Sequence, residues 1–303
     1  MRFRFGRFCT FFSFFFVTAE KPKLAFWTSV AAGVTNVVLD ALFIVVFDWG
    51  LAGAAAASAL AQTVGGVLPL IYFGRKNDSL LKLTRPIFEV GSVVKCCTNG
   101  SSELTSIIAM SLAGVVYNIQ ALKYAGESGV AAFGVLIYVG TICGGVFWGY
   151  SSGVSPAISY HYGAGNYAEL RNLRKKSYVV VGVVSASMLA LSATFAHLIA
   201  RIFAGYDAEL LEMTRRGLII YSFCYLFMGA AIFSSAFFTA LNNGFISATI
   251  AFLRTFVFEI GAVLLLPLVL GIDGIWVSPV VAELAAAAVG VYFIAATRKK
   301  YRC

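Results

Sequence analysis

An all-α polytopic membrane protein built of two pseudo-symmetric helical lobes, the first of them incomplete, is the fold class that three features of the chain predict. Of its 303 residues 60% are hydrophobic and only 12% charged, which leaves too little polar surface to clothe a water-soluble globule. Apolar stretches of about 20 residues, enough to cross the hydrocarbon at about 1.5 Å per residue, recur throughout. The chain also matches itself without a gap. When Phe12 is laid on Phe233, the residues Ser13, Phe16, Thr18 and Ala19 fall on Ser234, Phe237, Thr239 and Ala240, and Gly50 and Gly53 fall on Gly271 and Gly274. Coincident helix ends and glycine turns are what two parallel repeats about an axis along the membrane normal would give.

The helices follow in order. The first, 2–19, is rich in phenylalanine; its Arg2, Arg4 and Arg7 with Val17-Thr18-Ala19 also fit a secretory leader, but the match of 12–19 to an interior helix favours a repeat helix. Stretches 24–47 and 52–74 form a hairpin about Asp48-Trp49-Gly50. The link RKNDSLLKLTRPIFEVGSVVK, broken at Pro86, is the one amphipathic stretch and reads as a surface helix at the cytoplasmic interface. Further spans at 96–122, 129–157, 175–203, 213–240, 244–269 and 274–296 bring the total to about nine. Residues 1–79 therefore read as the second half of the first lobe, 80–95 as the inter-lobe linker, and 96–303 as the second lobe with a basic tail. The early helices of the second repeat have no partners in 1–74, so about three helices are expected upstream of Met1.

Charge supports the order. Arg75, Lys76, Lys82 and Arg85 cluster in one connection, Arg171, Arg174, Lys175 and Lys176 in another, and Arg298, Lys299, Lys300 and Arg302 at the end; these should face the cytoplasm. Lys123 with Glu127, then Asp207, Glu209 and Glu212, then Asp273 mark the opposite side, with Arg215 and Arg216 dissenting. The net charge of +9 is thus mostly topology, and short membrane loops offer no basic face for nucleic acid. Cys9, Cys143 and Cys224 lie within apolar helices and Cys96 with Cys97 opens another, which argues against a disulfide framework. His161 and His197 give no zinc spacing.

Three polar sets stand on these helices. Asn36 and Asp40, one turn apart, share a face, and Ser58 lies as far beyond the Asp48-Trp49-Gly50 turn as Asp40 lies before it. The three can converge as hard oxygen ligands for Na⁺, or the carboxylate can carry H⁺. A helix-to-helix hydrogen bond, about 0.6 kcal/mol in membranes, would explain Asn36 and Ser58 but hardly an acid. Glu103 heads a second face with Asn99, Ser106, Met110 and Tyr117. An aromatic, a thioether and a carboxylate suit an organic cation, while the alternative is a helix start in which Glu103 only meets the dipole. Arg254 and Glu283 form the third set, read as a structural ion pair rather than a proton relay; Glu259 falls nearer the outer half and gains no role.

NVVLD with its Gly-x-x-Gly turn, TNGSSE opening the next lobe, and PAISYHYGAGNYAELRNL further on resemble, in order and spacing, the multidrug and toxic compound extrusion (MATE) family. The resemblance implies a twelve-helix antiporter of two lobes exporting organic cations in exchange for Na⁺ or H⁺, of which this chain would hold helices four to twelve. It implies a cation site at Asn36, Asp40 and Ser58, Ser58 replacing the usual threonine, whose remaining acid lies on a helix not in this sequence. Glu103 matches an acid some members use; a second such acid has no match between Arg215 and Leu241. Tyr160, Gly163, Gly165 and Asn166 belong to a cytoplasmic turn. The expected function is therefore secondary transport, incomplete as given, and not enzymatic. No cofactor is expected besides the coupling ion; the partners are organic cations and the lipid bilayer, and the location is a bacterial cell membrane. A lipid-linked oligosaccharide flippase of similar architecture, or a non-functional truncated remnant, are the other readings. Oligomeric state is not legible.

Overall fold

The computed structural model describes residues 15, 16, 19–75, 89–297 and 301, without the side chains at 92, 98, 99, 101–103, 105 and 106. All regular structure among the described residues is helical. It divides into two compact units, Met1–Phe88 and Glu89–Cys303.

The first unit is a helix hairpin. Pro22–Asp40 opens with Pro22, whose missing N–H costs nothing in the first turn, and continues as a π-helical segment, Ala41–Val46. The chain reverses through Asp48 and Gly50, with φ of +53° and +51°, a region where glycine has no Cβ penalty. Gly50–Gly74 then runs back. A Cβ on Gly53 would lie 3.0 Å from those of Phe43 and Trp49, so the two helices meet almost backbone to backbone, as small residues permit in membranes. Phe16, Ala19, Ala25 and Phe73 form the buried cluster of this unit, with the Phe16 and Phe73 rings stacked at 5.1 Å.

The second unit begins with Val90–Gly163, which is two helices meeting at a break: Ala125 and Gly126 leave helical geometry, Gly126 at φ +61° and ψ −151°. Tyr167–Ala204 follows, capped by the Asn166 side chain, which accepts from Glu169 N. Next come Ala208–Ser222 and Tyr225–Ala240, bent by 49°, the first capped by Asp207. Gly244–Phe252 leads into a second π-helical segment, Leu253–Glu259, and the short helices Ile260–Leu265 and Pro267–Leu270. After Gly271, at φ +60°, Ile272–Ala296 closes the unit. A Cβ on Gly274 would sit 2.5 Å from the Leu266 carbonyl carbon, so this hairpin uses the device of Gly50 and Gly53 again. Trp276, Tyr225, Phe147 and Phe233 are among its largest fully buried side chains.

By length and apolar composition, six helices among the described residues could cross a membrane, or seven with the bent pair, and Ile107–Gly163 contains the break at Ala125 and Gly126. The span expected at 2–19 and the linker expected at 80–95 lie largely outside the described residues, although helix is already present from Val90. Arg171, Arg174, Lys175 and Lys176, expected in a connection, stand instead on the opening turns of Tyr167–Ala204. The Asn166 cap starts that helix ahead of the apolar stretch expected at 175–203. The span expected at 213–240 is the bent pair. Arg215 and Arg216, which dissented from the charge pattern, are neutralised locally: Arg215 by Glu212 at 2.6 Å and Arg216 by Asp273.

Candidate functional site

The second unit encloses a cavity of about 320 Å³, at the small end of ligand pockets. Every span of the unit except Tyr167–Ala204 contributes to its wall. One side is aromatic: Tyr117 stacks on Phe133 at 4.8 Å and 16°, and Phe133 lies 6.4 Å from Trp276. Tyr221 and Trp148 complete it with Met110 and Met228. Tyr221 fits because position 140 is glycine, where a Cβ would stand 2.7 Å from the phenol oxygen.

The other side is charged. Arg254 Nε donates to both oxygens of Glu283, at 3.0 and 3.1 Å, and Nη2 donates to Oε1 as well. Glu283 is buried and Arg254 is about one-fifth exposed. Glu259 lines the same cavity. Among the described residues it makes no hydrogen bond or ion pair of its own. The Tyr117 hydroxyl is also buried without a hydrogen-bond partner among the described residues. Aromatic faces attract cations electrostatically, by about 0.5–2 kcal/mol each. Two carboxyl groups thus face one guanidinium in the lining.

Sequence reasoning had placed Met110 and Tyr117 in one set and Arg254 and Glu283 in another; the structure brings all four to one cavity. The side chains of Glu103, Asn99 and Ser106 lie outside the described residues. Phe133, Trp148, Tyr221 and Glu259 are cavity residues that spacing missed. Only Glu259 carried a signal, an acid in an apolar run.

In the first unit, Asn36 and Asp40 occupy consecutive turns, and Asn36 Nδ2 and Asp40 Oδ1 are buried without partners among the described residues. The seating of Phe43 against Gly53 sets the antiparallel register. It puts Ser58 level with the turn between Asn36 and Asp40. No hydrogen bond joins the three among the described residues. Nearby threonines are satisfied inside their own helices, Thr35 on the Ala31 carbonyl at 2.7 Å and Thr63 on that of Ala59 at 2.8 Å.

Fold and cavity together define a multi-pass helical membrane protein with a partly charged, aromatic chamber inside its larger bundle. The MatE family model matches residues 104–265, more than half of the chain, and the chain belongs to that family. It is 26% identical over 217 residues to the multidrug export protein MepA of Staphylococcus saprophyticus, covering 69% of this chain and 47% of that protein. The chain thus spans about half the length of the curated relatives it matches. The fold is shared with an outward-facing multidrug resistance MATE family transporter of the MOP superfamily, at a TM-score of 0.86, 23% identity and coverage of 93% of this chain and 64% of that one. It is shared equally with a MOP superfamily transporter from Pyrococcus furiosus, whose reversed binding-pocket polarity is taken to suggest a different function; there the TM-score is 0.87, the identity 22% and the coverage 93% and 64%.

Proposed function

We propose that this chain serves ion-coupled export of organic cations, in exchange for Na⁺ or H⁺, across a bacterial cell membrane. The observation that carries the reading is the composition of the second unit's cavity: aromatic and thioether walls with two acids to one base. A cation transferred from water into such a chamber replaces hydration by ring faces and carboxylate charge. A lipid diphosphate would need several basic side chains, and Arg254 is the one basic residue in the lining, so the flippase reading loses its support. The named multidrug export relatives point the same way. Glu103, Asn99 and Ser106 belong to the helix that carries Met110 and Tyr117, and are proposed as further substrate residues on it.

Coupling belongs in this reading to Asn36, Asp40 and Ser58. Asn36 Nδ2 and Asp40 Oδ1, buried without partners among the described residues, support that assignment, since burying such groups unpaired is otherwise costly. The test is reconstitution in vesicles of this chain joined to about three upstream helices, the form in which transport is expected, under imposed Na⁺ and pH gradients, with an ethidium-like dye as reporter. Gradient-driven dye movement that disappears in Asp40→Asn is the expected result. Dye movement unaffected by Asp40→Asn would remove Asp40 from the coupling, and no movement under either gradient would sink the reading.

A further inference from the structure

We propose that the second unit's cavity holds a site for one monovalent cation centred on Glu259, where Arg254 is a counterion shared between Glu283 and Glu259. A proton on Glu259 and an organic cation in the cavity then exclude one another. This rests on the export reading above and names a site within it.

The first argument is charge balance. Arg254 directs its Nε and Nη2 at Glu283, and Glu259 on the same wall has no ion pair of its own among the described residues. With all three groups ionised the cavity carries one net negative charge, which a poorly solvated wall holds only at a cost. One monocation restores neutrality, whether a proton bound to the Glu259 carboxyl or an organic cation against the rings. When the organic cation enters, the carboxyl O–H breaks and its proton leaves to water. One positive charge replaces another.

The second argument is helix geometry. Arg254 and Glu259 are five residues apart, and on an α-helix at about 100° per residue they would point about 140° away from each other. The segment Leu253–Glu259 is π-helical, and its i→i+5 bonding returns residues five apart to the same side. Both line the cavity for that reason. The wide turn holds Glu259 where Arg254 can reach it if Glu283 is neutralised.

The third is the Tyr117 hydroxyl, on a residue 2% exposed, unpartnered among the described residues and part of the cavity wall. The titratable groups acting on Glu259 are Arg254 on its own helix and Glu283 from Ile272–Ala296, Tyr117 from the opening helix, and Tyr221 and Cys224 from the bent pair. Of these, only Arg254 and Glu283 alter the charge balance near neutral pH.

The experiment is calorimetric titration of the full chain in lipid nanodiscs with tetraphenylphosphonium. Buffers of different ionisation enthalpy report protons released per cation bound. Release of up to about one proton is expected for the unaltered chain. Glu259→Gln should abolish release and weaken binding by about tenfold or more. Glu283→Gln should do the same, because Arg254 is then free to neutralise Glu259. Glu259→Asp, which keeps the charge, should keep the release and so separates loss of charge from loss of fold. Unchanged affinity and proton release in either glutamine variant, or release absent in the unaltered chain at every pH from about 5 to 8, overturns the proposal. Absence of any tetraphenylphosphonium binding would overturn the export reading itself, a different result from binding without proton release.

Discussion

The two halves of the Arg254–Glu283 pair should not be equally costly to remove. The pair consists of three hydrogen bonds from one guanidinium to one buried carboxylate. Taking away one partner of such a pair costs about 3–5 kcal/mol, mostly through the charge left behind. Arg254→Met leaves Glu283 and Glu259 in one cavity with no base, so that both acids must take up a proton or stay unpaired, and the penalty belongs at the top of that range. Glu283→Gln leaves Arg254 beside Glu259, a substitute carboxylate on the same wall, and should cost only about 1–2 kcal/mol. A gap of about 2 kcal/mol or more between the variants is the expected outcome. Unfolding from mixed detergent micelles, followed by tryptophan fluorescence, measures both on one scale, and Trp276 in the buried core of this unit supplies a signal. Equal destabilisation by the two substitutions would refute the reasoning, since it would mean that Glu259 cannot replace Glu283 as a partner for Arg254.

Three further outcomes are expected. Gly274→Ala forces a methyl to within 2.5 Å of the Leu266 carbonyl carbon, a backbone contact that cannot yield, and should cost about 1–3 kcal/mol or more by the same unfolding assay. Asp207→Ala removes the cap that accepts from Glu209 N and Leu210 N and should lower stability by about 0.5–2 kcal/mol, read as an earlier thermal midpoint. Glu103→Gln should reduce efflux of cationic dyes far more than that of neutral aromatics; equal losses would give Glu103 a structural role.

How much of this was legible in the chain depends on the distance over which each feature is written. The spans and hairpins are local: apolar length sets the first, and Gly50, Gly53, Gly271 and Gly274 punctuate the second. Helix starts were less legible, because a capping side chain such as Asn166 begins a helix ahead of its apolar stretch. Arg254 and Glu283 are conspicuous because charge is rare in such runs, though nothing in their separation of 29 residues states that they touch. Glu259 was left without a role because it falls nearer the outer half of its span, and no simple residue pattern announces the π-helical segment that turns it to the side of Arg254. The meeting of Tyr117, Tyr221 and Trp148 around one cavity depends on how distant spans pack. Hydroxyls mislead in the other direction. Thr28, Thr35, Thr63 and Ser111 each bond a carbonyl of their own helix, so their polarity marks no site.

The π-helical segments of the two units do not coincide along the repeat. With Gly50 laid on Gly271, Ala41–Val46 falls on 262–267, beyond the end of Leu253–Glu259. The acids are out of step as well: the counterpart of Asp40 is Gly261, and that of Glu259 is Val38. On that alignment each acid meets a residue that can carry no charge. The two hairpins share their glycine turns, while a substitution at Asp40 or Glu259 has no equivalent acid in the other unit to compensate it.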